Sequence, residues 1–287
     1  MSLSTRLALF LGEKLRRVRV RGLPRIFYVT APLVLGRGLR IQPTISHLSL
    51  SVDISDYASC MMVYGRFQPE LVALLPRLVR PGDSVIDVGA QLGFVTSHLA
   101  ALVGPRGSVA SFEPDPNALK QLRATVAANQ HAQVTIHALA ASAHDGELTL
   151  HVSPTLGWST AVDNTHHRDL APTHVRCARL DTLAARGEIR RPVRLVKIDV
   201  EGYEHAVLDG AAQLLAEDRP AVLLELSELL LRPSGLKPAD VVARLPPNYR
   251  VQRIVEPRGI LAGGQVALEP FDPRRPPEFC DVLCSPL

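Results

Sequence analysis

Short apolar segments alternate with helical segments along residues 84–227, and this alternation limits the fold more than any other feature. The apolar runs are nearly continuous, as is typical of strands buried on both faces of a parallel sheet. The segments between them place apolar residues at helical spacing. Such β-α-β alternation predicts an α/β domain with a mostly parallel sheet and helices on both faces. The predicted strands are 84–90, 108–115, 134–142, 194–200 and 221–227, and the main predicted helices are 95–104, 116–130 and 203–217.

The sequence on either side of this alternation is less regular. Residues 1–63 show no dominant period and are interpreted as a variable lead-in, followed by a core over 64–232. Prolines then accumulate, and we expect residues 233–287 to complete the sheet with antiparallel edge strands. These late strands are predicted at 250–257, 265–270 and 279–286.

The charge of the chain does not by itself imply a nucleic-acid partner, and none is expected. The 32 basic and 28 acidic residues give a formal net charge of +4, which is a mild excess, whereas nucleic-acid binding usually needs a clustered basic face. No apolar run reaches transmembrane length. The basic residues from Lys14 to Arg21 follow a short apolar stretch, which reverses the order found in a signal peptide. We interpret this stretch as a capping helix or loose arm, and peripheral membrane contact through it stays open.

Four cysteines stand at Cys60, Cys177, Cys280 and Cys284, without a C-x-x-C pair or zinc-like spacing. A reduced, cytoplasmic setting is therefore expected. Cys280 and Cys284 are spaced as neighbours on a helix, but two thiols alone do not make a metal site.

A glycine-containing loop follows the first predicted strand and predicts a nucleoside site. Asp87, Gly89, Gln91 and Gly93 lie where that strand gives way to a helix, and Glu113 ends the next strand. Ligands in such sheets bind beyond the carboxyl ends of the strands, and a carboxylate there can accept hydrogen bonds from ribose hydroxyls. The chain has neither the G-x-G-x-x-G motif of dinucleotide sites nor the G-x-x-x-x-G-K-[ST] motif of nucleoside triphosphate sites. A nucleoside without phosphates, such as S-adenosylmethionine, fits best, with Asp87 orienting its amino group directly or through water.

Four segments together resemble the FkbM family of S-adenosylmethionine-dependent methyltransferases. They are VIDVGAQLGFVTSHLA, SFEPDPNALKQL, KIDVEGYEHAVLDG and LLELSE, in that order within residues 64–228. The resemblance implies a Rossmann-like class I methyltransferase sheet and O-methylation of polyketide, sugar or glycolipid hydroxyls. In that architecture the turn at Ala141 and Ser142 borders the adenine.

The sequence departs from the family pattern at two places. Gln91 stands where family members usually have Asn, and Phe67-Gln68 stands where many carry a Tyr-Glu pair. The first change lengthens a side chain of the cofactor loop. The second removes a carboxylate, which puts any cofactor contact from that position in doubt.

Two carboxylates at neighbouring strand ends are the candidate catalytic residues. Methyl transfer to oxygen needs alignment, and a base assists a protonated hydroxyl. Asp199 closes the strand 194–200 and Glu225 ends the next strand, so both are expected near the cofactor. We predict Asp199 as the base or acceptor-positioning group, with Glu225 in support. Equally open is a role for Asp199 in cofactor or turn contacts alone, with Glu225 paired structurally.

Other candidate residues are weaker. His205 is a second candidate base, although a helical histidine is more often a packing or surface residue. Trp158 either covers the pocket or packs under the sheet edge. His166 and His167 look like a metal-binding pair, but the side chains of adjacent residues point in different directions in a strand or helix. They are interpreted as solvated. Glu201 and Glu204 are assigned to capping the following helix, so no third carboxylate or histidine completes a metal site and no metal is predicted.

The leading hypothesis is an O-methyltransferase with a small-molecule or glycan acceptor. One alternative is methylation of a protein or nucleic acid, although the N-P-P-Y-like signature of amino-group methylation is absent near the fourth strand. A second is a non-catalytic cofactor-binding scaffold, which the intact glycines and Glu113 disfavour. An NAD-linked oxidoreductase is disfavoured by the glycine loop.

Overall fold

A computed structural model of the chain describes residues 3–15, 18, 20, 22–153, 159–162, 172–257 and 265–287. Trp158, His166 and His167 lie outside the described residues, so the predictions made for them stay predictions.

Strands make up the centre of the described chain. They are β1 Arg40–Pro43, β2 Ser49–Val52, β3 Ser84–Val88, β4 Ser108–Phe112, β5 Val134–His137, β6 Ala140–Ala141, β7 Gly146–His151, β8 Pro172–Ala178, β9 Val193–Ile198, β10 Ala221–Ser227, β11 Tyr249–Val255, β12 Ala267–Pro270 and β13 Phe279–Pro286.

Helices connect and cover these strands. They are α1 Leu3–Leu15, α2 Leu23–Leu35, α3 Tyr57–Val63, α4 Pro69–Leu78, α5 Phe94–Val103, α6 Pro116–Ala128, α7 Leu180–Ala185, α8 Glu204–Asp209, α9 Ala212–Asp218, α10 Glu228–Leu231 and α11 Pro238–Val242, with a short 3-10 helix at Arg232–Ser234.

An eight-stranded sheet organises the fold, in the order β12-β11-β13-β10-β9-β3-β4-β5. The pairs from β10 to β5 are parallel, whereas β13 pairs antiparallel with β10 and with β11, and β12 pairs antiparallel with β11. The predicted α/β class, with a mostly parallel sheet and late antiparallel edge strands, is confirmed. The strand order reverses between β3 and β9, which creates the crevice where ligands of such sheets bind.

Hydrophobic cores lie on both faces of this sheet, as the continuous apolar strands predict. Val85 and Leu195 belong to one cluster, while Ile86 and Val196, their neighbours in sequence, belong to the other. Since successive side chains of a strand point to opposite faces, each parallel strand supplies both cores and its carboxyl end is held rigidly.

Two local predictions were wrong. Residues 134–142 form two strands, and β6 leaves the main sheet to join a second sheet of order β6-β8-β7. Residues 203–217 form two helices, α8 and α9, separated at Gly210, where a Cβ would lie 1.9 Å from the Ser142 carbonyl oxygen. The strand predicted at 279–286 is present as β13, and it carries the buried Cys280 and Cys284.

The predicted lead-in contains defined elements. Helices α1 and α2 precede the antiparallel pair β1-β2, and the core cluster that includes Val85 also includes Phe27, Ala31 and Leu35 of α2. Residues 1–63 show no single period throughout, and Pro32, which lies inside α2, disfavours a helix in the sequence. The position of the domain boundary at residue 63 stays a prediction.

Candidate functional site

The glycine loop after β3 is held against two neighbouring strand ends. The N–H groups of Gly89 and Ala90 both donate to the Phe112 carbonyl, at 3.1 and 3.0 Å. Gly89 has φ +75°, and a Cβ there would lie 1.8 Å from the Asp199 carbonyl oxygen. Glycine is therefore required at this position by close approach to the backbone after β9.

Asp87 lies beneath this loop and is fully buried. Its Oδ2 accepts a hydrogen bond from the Thr96 hydroxyl at 2.6 Å, and its Oδ1 lies 3.5 Å from the Lys197 ammonium. Burial raises the pKa of Asp87, while the charge of Lys197 opposes that shift. Asp87 therefore stabilises the loop and Lys197 from the interior of the protein.

Glu113 organises the loop from the end of β4. Its two carboxylate oxygens accept hydrogen bonds from the backbone N–H groups of Gln91 and Asp115, at 2.7 and 2.8 Å. Burial raises the pKa of Glu113 to about 7. Each carboxylate oxygen has a second acceptor position, so Glu113 can hold the loop and still accept bonds from a ligand.

A cavity of about 230 Å³ opens at the carboxyl ends of β3, β4, β9 and β10. Its lining has an apolar part and a polar part, which we call the apolar wall and the polar wall; such a mixture is usual for small-molecule sites. The apolar wall includes Phe112, Leu139, Ala140, Ala141 and Leu150.

Six of the nine predicted site residues line this cavity: Gly89, Gln91, Glu113, Ala141, Asp199 and Glu225. The other three lie outside its described lining. Asp87 is beneath the loop, Gly93 caps α5, and the buried Ser142 hydroxyl is 3.0 Å from the hydroxyl of Tyr203, itself a lining residue. Phe67 and Gln68, which replace the family's Tyr-Glu pair, also line the cavity.

A cluster of three carboxylates forms the polar wall. Asp199, Glu201 and Glu225 each place an oxygen within 4.8 Å of the others. The sequence analysis assigned Glu201 to helix capping and expected no third carboxylate, and that assignment was wrong. Glu201 has φ +52°, and this turn carries its side chain to the cavity. The three carboxylates could hold a divalent cation, since oxygen ligands suit such ions.

The Lys197 ammonium compensates part of this negative charge. It lies 3.2 Å from Asp199 and donates to the Gly89 carbonyl at 3.1 Å. Burial lowers the pKa of Lys197, whereas the negative charges of Asp199 and Asp87 raise it. The charges together outweigh burial, so the pKa of Lys197 lies above its ordinary value. The ammonium is thus a fixed positive charge at the junction of β3 and β9.

The surrounding carboxyl groups hold protons more tightly than usual. Burial, followed by the charges of Asp199 and Glu201, raises the pKa of Glu225 far above its ordinary range. Burial, followed by Asp199 and Glu204, raises the pKa of Glu201 to about 8. Asp281, opposite Glu225 in the register of β10 and β13, has its pKa raised to about 7 by burial and by Asp199. Sequence reasoning missed Asp281.

The residues after the cluster have structural contacts. Glu204 accepts hydrogen bonds from the N–H groups of Gly202 and Val200, in the turn before α8, at 3.0 and 3.4 Å. Its role in capping α8 stays a prediction. His205, the second candidate base, is outside the described cavity lining, and its ring packs edge-on against Tyr203.

Comparison with known proteins gives the family of the chain. The "Methyltransferase FkbM domain" matches residues 87–235, which span the glycine loop, Glu113 and the carboxylate cluster. The chain belongs to the FkbM methyltransferase family. The methyl donor of such a domain is S-adenosylmethionine.

Individual relatives of this FkbM domain are distant. A protein-L-isoaspartate O-methyltransferase from Triticum aestivum is 32% identical over 144 residues, which cover 49% of this chain and 58% of that relative. An FkbM methyltransferase structure from Methylobacillus flagellatus has 17% identity and a TM-score of 0.41, covering 80% of this chain and 55% of that one. The fibrillarin of Aeropyrum pernix, crystallised with S-adenosylmethionine, has 16% identity and a TM-score of 0.40, covering 75% and 73%.

The cavity of the FkbM domain fits this donor. Glu113 offers an acceptor at the strand end where a ribose is expected. Leu139 and Ala141 offer an apolar surface for a base. Lys197 is the basic residue of the described lining, and its ammonium is already engaged by Asp87, Asp199 and the Gly89 carbonyl. A nucleoside without phosphates therefore suits the site better than a nucleotide.

Proposed function

We propose that the protein is an O-methyltransferase that methylates a hydroxyl of a sugar, glycolipid or secondary metabolite. The observation that carries the proposal is the carboxylate cluster on the polar wall, beside the loop expected to hold the donor. A neutral hydroxyl can donate a hydrogen bond to such a cluster. An acceptor that is itself anionic would meet the like charge of the Asp199 carboxylate there.

Three of the lining residues are assigned to the donor. Glu113 would accept bonds from the ribose, Gln91 would contact the donor from the loop, and Ala141 would border the adenine. The bound donor supplies an activated methyl group for in-line transfer. Gly89 and Asp87 would act indirectly, because the first keeps the loop against β9 and the second fixes Lys197.

Asp199 is assigned to the acceptor. It is partly exposed, lines the cavity and carries the negative charge that Lys197 stabilises. A carboxylate held in this way can position a hydroxyl and take its proton as the methyl group is transferred. Glu225 is largely buried, and its raised pKa keeps it protonated near neutral pH, so it can donate a hydrogen bond within the cluster.

A protein carboxyl group is the second candidate acceptor, because the Triticum aestivum relative is named as a protein-L-isoaspartate O-methyltransferase. The cluster argues against it, since a carboxylate acceptor would approach the Asp199 carboxylate against electrostatic repulsion.

Methyl transfer from radiolabelled S-adenosylmethionine tests the choice. Purified protein would be offered neutral glycosides and glycolipids on one side, and isoaspartyl peptides on the other. Label in alkali-stable methyl ethers of the first set supports the proposal. Label that appears only as alkali-labile methyl esters of the peptides would overturn it.

A further inference from the structure

Exposed apolar side chains are concentrated in the first two helices and the strand that follows them. Of the fifteen large hydrophobic residues that are exposed in the described chain, eleven lie between residues 3 and 41. These are Leu3, Leu7, Phe10, Leu11, Val20, Ile26, Val29, Leu33, Val34, Leu39 and Ile41. We call the exposed apolar residues of α1 and α2 the N-terminal apolar face.

The spacing of these residues gives each helix one apolar stripe. Leu3, Leu7 and Phe10 recur at intervals of four and three along α1. Ile26, Val29 and Leu33 recur at intervals of three and four along α2, as in amphipathic helices. Soluble proteins rarely leave a contiguous apolar surface of this kind without a partner.

The opposite sides of the two helices are fixed to the body of the protein. Phe27 stacks on Tyr64 with ring centroids 4.5 Å apart. Gly12 of α1 also lies against Tyr64, since a Cβ at Gly12 would come within 2.5 Å of that ring. The Arg66 guanidinium donates to the carbonyls of Leu15 and Val18, at 2.7 and 2.8 Å. The core packing of these helices is therefore satisfied without the N-terminal apolar face, which stays turned outward.

The charge of the same region is strongly asymmetric. Residues 1–52 contain nine basic residues and a single acidic one, Glu13, whereas residues 53–287 contain 23 basic and 27 acidic residues. Arg6, Lys14 and Arg25 are exposed on or beside the two helices, and the Lys14 ammonium lies 5.3 Å from the Phe10 ring centroid. The positive charge of the chain is therefore gathered where its apolar surface is exposed.

We infer that the N-terminal apolar face docks on the surface of an anionic lipid bilayer. Exposed leucine, isoleucine and phenylalanine side chains beside arginine and lysine are the chemistry of helices that lie in the bilayer interface. Basic residues near an anionic leaflet add attraction that salt screens. No helix of the described residues is long and apolar enough to cross a membrane.

The positive charge and the exposed apolar side chains favour a bilayer over two other partners, a second copy of the chain and a nucleic acid. A second copy of the chain would bring a second strongly basic region against the first. A nucleic acid would match the charge but would leave the apolar side chains against phosphates. The bilayer surface satisfies both features together.

The face is connected to the cavity through α3. The Tyr28 hydroxyl of α2 donates to the Ser55 carbonyl at 2.9 Å, just before α3 begins at Tyr57. Ala58 of α3 lines the cavity. A bilayer on this face would thus be one helix away from the substrate site. The inference itself rests on the exposed side chains and charge and is independent of the proposed function.

Vesicle co-sedimentation of the full chain tests the inference. Vesicles of phosphatidylcholine mixed with phosphatidylglycerol are compared with vesicles of phosphatidylcholine alone. We expect binding to the mixed vesicles, weaker binding to the neutral ones, and release by added salt. The double variant Leu7→Gln/Leu33→Gln should bind about tenfold or more weakly, because two side chains lose the free energy of leaving water.

Matched controls separate docking from general effects. Leu287→Gln removes an equally exposed leucine, 74% against 79% for Leu33, from outside the face and should bind as the wild type does. Arg6→Gln/Arg25→Gln should weaken binding to the mixed vesicles, whereas Arg123→Gln on α6 should not. Circular dichroism and thermal melting check that each variant is folded.

Equal binding to both vesicle types, undiminished binding of the double variant, or no binding at all would overturn the inference. So would a dimer in lipid-free solution that Leu33→Gln abolishes.

Discussion

The Lys197 ammonium lies 3.2 Å from the Asp199 carboxylate at the carboxyl end of β9, and the same ammonium lies 3.5 Å from the buried Asp87. One cation thus connects the interior side of the glycine loop with the polar wall of the cavity. The arrangement places a fixed positive charge beside Asp199 at the point where an acceptor would enter.

Replacing Asp199 by Asn tests the proposed base. The amide keeps the shape but cannot take a proton, so turnover at saturating S-adenosylmethionine should fall by roughly 10²–10⁴-fold. Steady-state kinetics and the dissociation constant of the donor are measured together. Near-normal kcat with weakened donor binding would contradict the assignment and leave Asp199 as a cofactor contact. Asp209→Asn, on the exposed end of α8, is the control.

Glu113→Gln should weaken donor binding. A hydrogen bond to a charged group contributes about 1.5–3 kcal/mol, so we expect a loss of about tenfold or more by calorimetry. Since the pKa of Glu113 is raised to about 7, wild-type affinity should increase as the pH rises through that value. This dependence should be much reduced in the variant. Glu188→Gln, an exposed carboxylate, should keep both the affinity and its pH dependence.

The prediction is contradicted if a folded Glu113→Gln variant binds the donor as tightly as the wild type. It is also contradicted if the affinity changes with pH equally in both proteins, because several carboxyl groups near the cavity have raised pKa values.

Glu225→Gln should raise the melting temperature, and the gain should grow with pH. The folded pKa of Glu225 lies above its unfolded value of about 4.3, so folding retains a proton that the unfolded chain releases. That group therefore destabilises the fold progressively as the pH rises above the unfolded pKa. Glutamine cannot ionise and removes this effect. Melting curves between about pH 5 and pH 8 check it, and a gain that is constant with pH would argue against it. Glu147→Gln on the exposed part of β7 is the control.

Gly89→Ala should abolish donor binding. The added Cβ would lie 1.8 Å from the Asp199 carbonyl oxygen, and φ of +75° adds strain. Gly104→Ala has a comparable φ of +63° but open space around the Cβ, so it should lose some stability and retain binding. Donor titration of both variants separates the clash from the strain. Equal affinities would show that the loop tolerates movement away from β9.

Chelation tests the role of the carboxylate cluster. We expect activity to survive EDTA, because the Lys197 ammonium already stabilises Asp199 at 3.2 Å. Activity assays with EDTA, and with EDTA followed by excess magnesium, decide the matter. Loss with the chelator and recovery with magnesium would instead make Asp199, Glu201 and Glu225 metal ligands.

The sequence predicts the parallel strands and their terminal carboxylates well, because burial on both faces leaves a local pattern. Glu113, Asp199 and Glu225 are found from their positions at strand ends alone. Glu201 is not, because its place on the polar wall depends on a left-handed backbone conformation that no residue type in the segment requires. Asp281 is missed because it faces Glu225 through an antiparallel register set by distant residues.

Elements fixed by tertiary contacts are also hard to predict. The separation of α8 from α9 depends on the approach of Gly210 to the Ser142 carbonyl, far away in sequence. Helix α2 carries a proline inside it, and its stability comes from packing Phe27 and Ala31 into the core. Neither the break between α8 and α9 nor the core packing of α2 can be inferred from the local spacing of apolar residues.

The position of β13 in the sheet has a consequence for the order in which the molecule is built. β13 is the latest described strand to be synthesised, yet it is inserted between β10 and β11. Until residues 279–286 leave the ribosome, β10 has an unpaired edge and Glu225 lacks its neighbour Asp281. A nascent chain would therefore carry the parallel strands with an additional open edge at β10, which is the kind of surface that recruits chaperones or aggregates. Placement of Asp281 opposite Glu225 is thus one of the last events of folding.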